Sequence, residues 1–571
     1  MGYDDFVKSL RREEKLLDID LYFADFAVRM AKETKNSPLY LLAALVSGAF
    51  SLHREICVAA RAVATPEALR NFLALAPDST LPVNSKWLPE KLPDFLRLDN
   101  GNYYLYGNFQ IKEQICEFVQ SRVSQKLPEG DFDPAVTTLT LTEGQTETVR
   151  KSVNNPLLVI SGGPGTGKTT ILATILAVRP EKPERIFLAA PTGKAQARMQ
   201  EALQEELSRL TIADERKNAL ARVRCSTIHR LLEYRKNGGF RRNRANPLEC
   251  DLLVIDECSM VSFALLGQVL EALKQGTAVI LLGDYAQLAS VQPGRVFADV
   301  CGMLTKYPRH LAKLTESKRF PPDKGIARLR DCLVPELTAP GEKAWECLQK
   351  QHEQLEYLPL PEKSKLKEFL AENLNGWCAD GRMFFEEETI EEAWRKFESM
   401  RILTPSNQGP YGSDALNALA CEILKLGDNS PGLPLLQSRN DYSLNIFNGD
   451  TGLLWYADEK RQPLPRSMAT DNCRRLVFFP CGQGEWYGVE RELLSDADIA
   501  FAMTVHKSQG SGYGKVLFLL PELGFAEDLL TRELIYTAVT RGKPEAVVVT
   551  EEAVFKAAAN RCVDRASGLL T

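Results

Sequence analysis

The sequence has 571 residues, 44% of them apolar and 25% charged, and a chain of this length predicts three or four domains rather than one core. Its formal net charge of −5 argues only weakly against a nucleic-acid binder, because a motor can bind DNA in a local groove beneath an acidic outer surface. The 13 cysteines and five histidines are scattered without a C-x-x-C pair, which predicts reduced thiols, a cytoplasmic location and no zinc or iron–sulfur site.

Residues 1–130 are predicted to form a small helical N-terminal domain. The acidic start MGYDDFVKSL is unlike a basic signal peptide. The apolar run at residues 39–46 is far shorter than the ~20 residues of a membrane span, so we interpret it as a core helix. The stretch LPEGDFDP, residues 127–134, is predicted to be a linker. Helical spacing also relates the apolar residues Leu21, Phe23, Phe26, Ala27 and Met30.

A βαβ pattern follows, and it predicts a first α/β domain over residues 131–330. Short apolar runs alternate with helical segments, which indicates a parallel sheet with helices on both faces. The predicted strands are LLVIS (157–161), IFLAA (186–190), LLVID (252–256) and AVILLG (278–283).

A second α/β pattern predicts another domain, formed by residues 331–435 and 499–571. Its predicted strands are RILTP (401–405), AFAMTV (500–505), VLFLLP (516–521) and AVVVT (546–550). Between these parts, residues 436–498 contain short segments joined by Gly, Pro and Asn turns. They predict antiparallel strands in a small inserted β-barrel.

A glycine-rich turn follows the first predicted strand and fits G-x-x-x-x-G-K-[ST]. Its backbone N–H groups and the next helix N-terminus would cradle phosphates. Lys168 would reach the β- and γ-phosphates, and the Thr169 hydroxyl would hold Mg²⁺. The chain is therefore predicted to bind a nucleoside triphosphate. The predicted phosphate-binding residues are Gly162, Gly163, Pro164, Gly165, Thr166, Gly167, Lys168, Thr169 and Thr170.

Polar side chains at the ends of two later strands are candidates for the chemistry. In LLVIDECSM (252–260), Asp256 would hold the Mg²⁺ shell and Glu257 would orient the attacking water. In GDYAQLASVQPG (283–294), Gln287 is suited to sensing the γ-phosphate, although an ordinary turn has the same composition.

Two arginines could stabilise charge in the transition state, namely Arg319 in SKRF and Arg541 in YTAVTRGK. A solvated surface residue is the commoner fate of an isolated arginine. If Arg541 does reach the phosphate, ATP lies between the two α/β domains and its hydrolysis moves them.

Taken in order, these motifs resemble the RecD family of superfamily 1 helicases, the alpha subunits of exodeoxyribonuclease V. The resemblance covers residues 130–571 and is weak before them. It is carried by LTEGQTETV (141–149), SGGPGTGKTT (161–170), APTGKAQARM (190–199), STIHRLL (226–232), DLLVIDECSM (251–260), GDYAQLASVQPG (283–294), SKRF (317–320), LTPSNQGPYGSDALN (403–417), NIFNGDTG (445–452), AFAMTVHKSQGSG (500–512) and RELIYTAVTRGK (532–543).

The resemblance implies two RecA-like domains, an SH3-like barrel insertion, and an ATP- and Mg²⁺-dependent 5′-to-3′ helicase. It also implies RecB-like and RecC-like partner subunits in double-strand break repair and recombination, with residues 1–130 docking on a partner. Gln145 would read the adenine edge, and Gln287, Arg319 and Arg541 would contact the γ-phosphate. Single- and double-stranded DNA would be bound, with strand contacts from Thr192, Lys194, Thr227, His229, Thr504 and His506.

Three features qualify this interpretation. The family usually has an acidic residue where Gly512 follows HKSQGS, so the carboxylate that would touch the ribose or brace that loop is missing here. The basic stretch 234–244 would contact the DNA backbone, or it is a solvated loop. Each threonine could instead be a helix cap.

Several alternatives remain from the sequence. A stand-alone RecD-like helicase would carry a longer N-terminal extension. A mainly structural ATP-binding subunit would not need the intact Lys168, Asp256-Glu257 and arginine set. A P-loop kinase or protein-remodelling ATPase gives no reason for HKSQG or YTAVTRGK. No nuclease constellation is present in the sequence, so any nuclease activity would belong to partner chains.

Overall fold

The protein is described by a computed structural model. It covers residues 2–76, 79–82, 88–89, 91–125, 131–223, 225–235, 239–350, 352–379, 382–441, 443–444, 446–470, 473–482, 484–563 and 565–570. Half of the predicted linker at 127–134 and three residues of the basic stretch, 236–238, lie outside these ranges. No helix within the covered ranges has the length and apolar character needed to cross a membrane.

The N-terminal region combines helices with a small antiparallel sheet. The apolar run at 39–46 lies wholly inside the buried helix Pro38–Ser51, which confirms it as a core helix. The sheet was not predicted. Its hairpin turns at Asn100-Gly101, where both φ angles are positive, 44° and 74°. Its helices are Tyr3–Arg12, Asp18–Ala31, Pro38–Ser51, Ala60–Val63 and Pro66–Phe72, and its strands are Cys57–Ala59, Leu96–Asp99 and Asn102–Leu105.

A first parallel sheet of six strands contains all four strands predicted for this part of the chain. Two short strands at its edges, 225–227 and 311–314, were not predicted. In spatial order the strands are Cys225–Thr227, Ile186–Ala190, Leu252–Ile255, Ala278–Gly283, Leu157–Gly162 and Leu311–Leu314. Around it lie the helices Tyr106–Val123, Glu143–Ser152, Lys168–Val178, Gly193–Leu207, Asp214–Ala221, Ile228–Leu231, Phe263–Glu271 and Val296–Leu304.

A second parallel sheet has five strands and again contains the four that the sequence predicts. The strand at 355–359 is the addition. In spatial order the strands are Leu355–Pro359, Gly542–Thr550, Tyr513–Leu520, Met400–Thr404 and Ala502–Thr504. Its helices are Gly325–Asp331, Gly341–Gln349, Leu366–Asn373, Ile390–Phe397, Ser413–Leu424, Arg532–Val539 and Glu552–Asn560.

An antiparallel sheet is inserted before the last strands of the second parallel sheet. Its first strand begins at Pro434, slightly before the predicted boundary at 436. Within the ranges the structure covers, no ladder joins the two edge strands, so closure into an SH3-like barrel stays a prediction. The spatial order is Glu485–Val489, Arg474–Gly482, Thr451–Ala457, Pro434–Gln437 and Ala497–Ile499.

Smaller elements complete the chain. A two-stranded ladder pairs Cys378–Ala379 with Arg382–Met383. Single turns of 3₁₀ helix lie at Pro134–Val136, Pro183–Arg185, Cys258–Met260, Lys363–Lys365, Leu374–Trp377, Phe384–Glu386, Arg466–Met468, Arg491–Leu493 and Gly524–Leu529.

The last part of the chain, residues 561–570, crosses back from the second parallel sheet to the first. We call it the C-terminal segment. Arg295 donates to the Val563 carbonyl at 2.7 Å, and Arg565 donates to the Ser290 carbonyl at 2.7 Å. The Ile56 amide donates to the Ala566 carbonyl at 2.8 Å. The C-terminal segment therefore also joins the N-terminal region.

Candidate ATP cleft and DNA groove

The phosphate-binding loop follows the strand Leu157–Gly162 and leads into the helix Lys168–Val178. Gly165 and Gly167 have φ angles of 82° and 81°, a region that only glycine adopts without strain. The Lys168 ammonium turns back and donates to the carbonyls of Gly162 and Gly163. Thr169 and Thr170 lie in the first turn of the helix, half-buried. This is the geometry expected of a phosphate cradle.

Arg319 lies directly beside this loop, although it is distant in sequence. The Ser317 hydroxyl donates to the Pro164 carbonyl at 2.9 Å, and the Lys318 amide donates to the Gly165 carbonyl at 3.0 Å. A Cβ on Gly165 would come within 2.3 Å of the Arg319 Cβ. The absence of a side chain at Gly165 thus allows Arg319 to reach the cleft, where its side chain is exposed.

Gln145, predicted to read the adenine edge, supports the phosphate-binding loop in this structure. It is buried near the start of the helix Glu143–Ser152. Its Nε2 donates to the Thr166 carbonyl at 3.0 Å, and its Oε1 accepts from the Thr142 amide at 3.0 Å. Both amide atoms are therefore engaged, so reading a base would require at least one further bond or a rearrangement.

Asp256 and Glu257 follow the strand Leu252–Ile255 and border the same cleft. The Asp256 carboxylate accepts from the Glu257 amide at 2.8 Å. Burial, and secondarily the Glu257 charge, raise the pKa of Asp256 to about 6, while Lys168 opposes the shift. Glu257 has a φ of 51°, unusual for a residue with a long side chain. Such local strain is typical of functional sites, and here it turns the carboxylate at the strand end.

Gln287 lies where the two parallel sheets meet. Its Nε2 donates to Asp284 at 3.0 Å, and the Tyr536 hydroxyl from the second sheet's side donates to Asp284 at 2.9 Å. The Leu288 amide donates to the Thr537 hydroxyl at 2.9 Å. The segment that carries the predicted γ-phosphate sensor is thus hydrogen-bonded to the helix that precedes Arg541.

Arg541 is buried and points into the cleft between the sheets. Its Nη1 donates to the Ser511 carbonyl at 3.1 Å and its Nε to the Thr537 carbonyl at 3.3 Å. Burial lowers the pKa of Arg541, the Glu257 charge opposes this shift, and Arg198 adds to it. Arg541 and Glu257 therefore interact electrostatically, although they belong to different α/β units.

Two further cations near this cleft are Arg198 and Lys543, which the sequence did not single out. Although part of the Arg319 side chain is exposed, the protein around it desolvates the guanidinium and, together with the charges of Arg198 and Arg541, lowers the pKa of Arg319. Desolvation, followed by the charges of Arg198 and Arg319, lowers the pKa of Lys543. A Cβ at Gly512 would come within 2.9 Å of the Lys543 Cε, so Lys543 borders the position where the family usually has an acidic residue. Lys168, Arg319, Arg541 and Lys543 border one cleft and suit a polyphosphate, while the Arg198 guanidinium is held by the Gly510 carbonyl.

A separate groove collects most of the predicted DNA contacts. It lies between the N-terminus of the helix Gly193–Leu207 and the loop that follows the strand Ala502–Thr504. Of the six predicted residues, five line it: Thr192, Lys194, Thr227, His229 and His506.

Of the three predicted threonines, Thr192 and Thr227 also act as helix caps, and Thr504 holds a turn. Thr192 accepts from the Ala195 amide at 3.2 Å, and Thr227 from the Arg230 amide at 3.2 Å. Thr504 is buried at a strand end, is not among the groove-lining residues, and accepts from the Lys507 amide at 3.3 Å. These hydroxyls fix the backbone at the groove, whatever they contact in addition.

The groove's positive charge comes from lysines rather than histidines. Burial, and secondarily Arg54 and Arg565, lower the pKa of His506 to about 4. Burial also lowers the pKa of His229. Both rings are therefore neutral at pH 7, and the charged groove-lining residues are Lys194 and Lys507.

A loop from the inserted region covers part of the groove. A Cβ on Gly193 would lie 2.7 Å from the Phe447 ring, and the Arg230 guanidinium lies 5.2 Å from that ring's centroid. The sequence motif NIFNGDTG pointed to this loop, but single residues in it carried no predicted role. The groove-lining residues missed there are Asn440, Phe447, Asn448 and Gly449.

The basic stretch begins beside the groove. The rings of Tyr234 and Phe240 lie 5.5 Å apart, and the His229 ring lies 6.0 Å from Tyr234. Arg241 and Arg242 both pair with Glu233. Part of its positive charge is therefore compensated within the protein.

Comparisons with known proteins agree with this geometry. A family model described as an AAA domain matches residues 145–293, and one described as a UvrD-like helicase C-terminal domain matches residues 499–549. The RecBCD enzyme subunit RecD of Mycolicibacterium smegmatis is 35% identical over 540 residues, covering 90% of each chain. That of Haemophilus influenzae is 30% identical over 75% of this chain and 72% of its own.

One more distant relative is named as a helicase, and a solved helicase structure is also similar. The ATP-dependent RecD2 DNA helicase of Deinococcus radiodurans is 28% identical over 71% of this chain and 48% of its own length. The crystal structure of Pif1 helicase from Candida albicans is similar with 16% identity and a TM-score of 0.41, covering 75% of this chain and 98% of that one.

A P-loop and an Asp-Glu strand end that face a second parallel sheet across a cleft define a P-loop helicase motor, a DNA-dependent ATPase. Given the extent of the sequence identity, the chain belongs to the RecD family of helicase subunits.

Proposed function

We propose that this chain is the 5′-to-3′ motor of a three-chain helicase–nuclease that processes double-strand breaks. The observation that carries the motor assignment is the convergence on one cleft of Lys168, Glu257, Arg319 and Arg541, drawn from both α/β units. Arg541 would complete the binding site for ATP. Hydrolysis of ATP would therefore move one unit relative to the other. The polarity rests on the resemblance to the family.

ATP would be held with Mg²⁺ in this cleft. Among the residues the structure covers, no group of three or more His, Cys, Asp or Glu side chains could bind a metal by itself. Mg²⁺ does not need such a group, because it takes one or two protein oxygens together with phosphate and water. The Thr169 hydroxyl and the Asp256 carboxylate supply oxygens of this kind. When bound, the ion would neutralise charge on the phosphates.

Within the cleft, each side chain would have a separate task. Lys168 would leave its loop carbonyls for the β- and γ-phosphates. Glu257 would orient the attacking water, and Gln287 would sense the γ-phosphate. Arg319 and Arg541 would stabilise the charge of the transition state.

Single-stranded DNA would run through the groove between the same two units. Backbone amides, threonine hydroxyls and Lys194 suit phosphates and read no base sequence. The basic stretch beside His229 would extend the contact to the duplex backbone. The inserted antiparallel sheet would then guide or split the duplex.

The partner surface would be an exposed stripe on the helix Asp18–Ala31. Ile19, Tyr22 and Met30 are 60%, 69% and 61% exposed, and they recur with Phe26 along one face. The apolar run at 39–46 is buried and unavailable for docking, so it serves this region's own core. Large apolar side chains exposed in a row are typical of protein interfaces. We assign this stripe to a RecB-like or RecC-like subunit, since relatives are named as RecBCD subunits.

The alternative is a stand-alone helicase of the RecD2 type. This chain matches only 48% of the length of the Deinococcus radiodurans protein. The chain matches 90% of the length of the RecBCD subunit RecD of Mycolicibacterium smegmatis. The higher identity, 35% against 28%, favours the subunit.

Strand displacement tests the motor, with 5′-tailed and 3′-tailed duplexes and with and without co-expressed partner chains. ATP-dependent opening of the 5′-tailed duplex supports the proposal, and opening of the 3′-tailed duplex alone contradicts the polarity.

For docking, the Ile19→Ser, Tyr22→Ser, Met30→Ser variant should lose co-purification with the partners. Arg29→Ala, exposed on the same helix, is the matched control. If the triple variant still assembles fully with the partners, the interface lies on another surface of the chain.

A further inference from the structure

The helix Gly193–Leu207 extends from the DNA groove to the ATP cleft. Thr192 caps its N-terminus and, with Lys194, lines the groove. Arg198 lies one turn beyond Lys194. Its guanidinium Nη1 donates to the Gly510 carbonyl, which belongs to the second α/β unit. One helix of the first unit thus contacts both the groove and the opposite unit near the cleft.

The loop that contains Gly510 and accepts the hydrogen bond from Arg198 also extends from the DNA groove to the ATP cleft. Its residues His506 and Gln509 line the groove. Its next two carbonyls receive one guanidinium each: Gly510 accepts from Arg198, and Ser511 accepts from Arg541 at 3.1 Å. Gly510 has a φ of 73°, and a Cβ there would lie 3.8 Å from that of Ala195, so this loop runs close to the helix. Adjacent peptide groups therefore link the first unit to the arginine at the ATP cleft.

We propose that Arg198 is a positioning residue that couples DNA in the groove to the placement of Arg541 at the ATP. A strand that contacts both the helix N-terminus and His506 would fix these two elements relative to each other. The Arg198–Gly510 bond then transfers this alignment to Ser511, and Ser511 sets the position of Arg541. This inference rests on the proposed function of the cleft and the groove.

The charge of Arg198 favours the same role. Its guanidinium contributes to lowering the pKa of Arg541, Arg319 and Lys543, so it lies within electrostatic range of all three. A free Arg198 would repel Arg541 from the cleft. A carbonyl that holds Arg198 limits this repulsion, and a hydrogen bond to a charged donor is stronger than a neutral one. Losing the bond would therefore uncouple the position of Arg541 from DNA in the groove, without removing any group that touches the phosphates.

The test compares ATP turnover with and without single-stranded DNA of mixed sequence, using the full chain and its partners where they co-purify. Arg198→Gln should lower the DNA-stimulated turnover by about 5- to 150-fold, the range of a typical coupling free energy. DNA-free turnover and the separate affinities for ATP and DNA should be unchanged. Arg198→Lys, which can still donate one bond, should recover part of the stimulation. Arg209→Gln is the control, since Arg209 pairs on the surface with Glu205 and Glu206.

The outcomes separate this inference from the proposed function. Unchanged stimulation in Arg198→Gln would overturn the coupling role. A parallel loss of DNA-free turnover or of ATP affinity would also overturn it, because Arg198 would then be a phosphate ligand or a structural residue. A wild-type protein without DNA-stimulated turnover would instead contradict the proposed function and remove the basis of the inference.

Discussion

The Tyr536 hydroxyl lies 2.9 Å from the Asp284 carboxylate, and it joins the helix Arg532–Val539 of the second α/β unit to the turn after the strand Ala278–Gly283 of the first. The same hydroxyl lies 2.8 Å from where a Cβ on Gly163 would stand. Ala286 and Leu288, close to Asp284 in sequence, pack in the apolar cluster of the second unit. The phosphate-binding loop, the sensor segment and the second unit thus meet at one point in this closed arrangement.

Gly163→Ala should weaken this closed arrangement. The added methyl would meet the Tyr536 oxygen at 2.8 Å, well inside contact distance, and push the units apart. We expect slower ATP turnover and weaker DNA stimulation in steady-state assays. Tyr536→Phe removes the oxygen and makes room, so the double variant should recover part of the loss. Such neighbours typically couple by about 0.5–3 kcal/mol. Strictly additive effects would contradict the contact.

Lys168→Ala should reduce ATP turnover by about 10²-fold or more, because the phosphates lose their main cation. The fold should survive, since Lys168 bonds backbone carbonyls of its own loop. Turnover and the melting temperature should be measured together. The control is Lys182→Ala, which removes an exposed lysine outside the cleft. Normal turnover in Lys168→Ala would rule out this loop as the phosphate site.

Arg541→Ala should reduce hydrolysis by about 10³–10⁵-fold while changing ATP affinity far less. The reason is that an arginine finger acts on charge that develops in the transition state. Single-turnover hydrolysis and equilibrium nucleotide binding separate the two effects. Because Arg541 is buried, Arg541→Lys controls for loss of a buried cation, and its melting temperature should stay closer to that of the wild type. Equal losses in binding and hydrolysis would argue against a finger.

DNA binding should weaken steeply as salt rises and should tolerate changes in base sequence. Lysines and backbone groups in the groove suit phosphates, and each neutralised phosphate of a single strand releases counterions. Lys194→Ala should therefore reduce the slope of log affinity against log salt by about 0.7. Fluorescence anisotropy over a salt series measures this, with Lys182→Ala as the control. A strong preference for one short sequence would count against the groove.

His506 should make stability fall at acidic pH. Its folded-state pKa of about 4 lies below the ordinary value of 6.5. Between these values the unfolded chain binds a proton that the folded chain does not, so the free energy of unfolding falls as the pH decreases from 6.5 to 4. The contribution is of the order of 1–3 kcal/mol. His506→Gln should lose less stability over this range in denaturant titrations, and identical slopes would contradict the shift.

The parallel sheets were predictable because buried strands read as unbroken apolar runs bounded by turns. The run at 278–283 and the strand Ala278–Gly283 coincide. The edge strands Cys225–Thr227 and Leu311–Leu314 are only three and four residues long, too short for a periodic signal. The N-terminal hairpin was missed although Asn100-Gly101 is a typical signal for a two-residue turn. The strands on either side of it have only four residues each, so the turn signal lacks the flanking alternation that would identify a hairpin.

The site was predictable where chemistry fixes both residue type and local spacing, as in the phosphate-binding loop. It was not predictable where the third dimension supplies the neighbour. Arg198 reads as an ordinary helix-surface arginine, and only its contact with Gly510 marks it. Lys543 is the last residue of a motif, yet its place beside Gly512 depends on the packing of two strands. Phe447 reaches the groove from a loop whose direction no local pattern records.

The return of the C-terminal segment has a mechanical consequence. The chain leaves the first α/β unit near Arg319 and comes back to it at Val563 and Arg565. The second unit is thus anchored at two separate points instead of hanging from one linker. We expect two chain connections to favour rotation about the line between them over sliding or twisting. The distance moved along a strand at each cycle would then be set by an angle of rotation and by how far the groove lies from that axis.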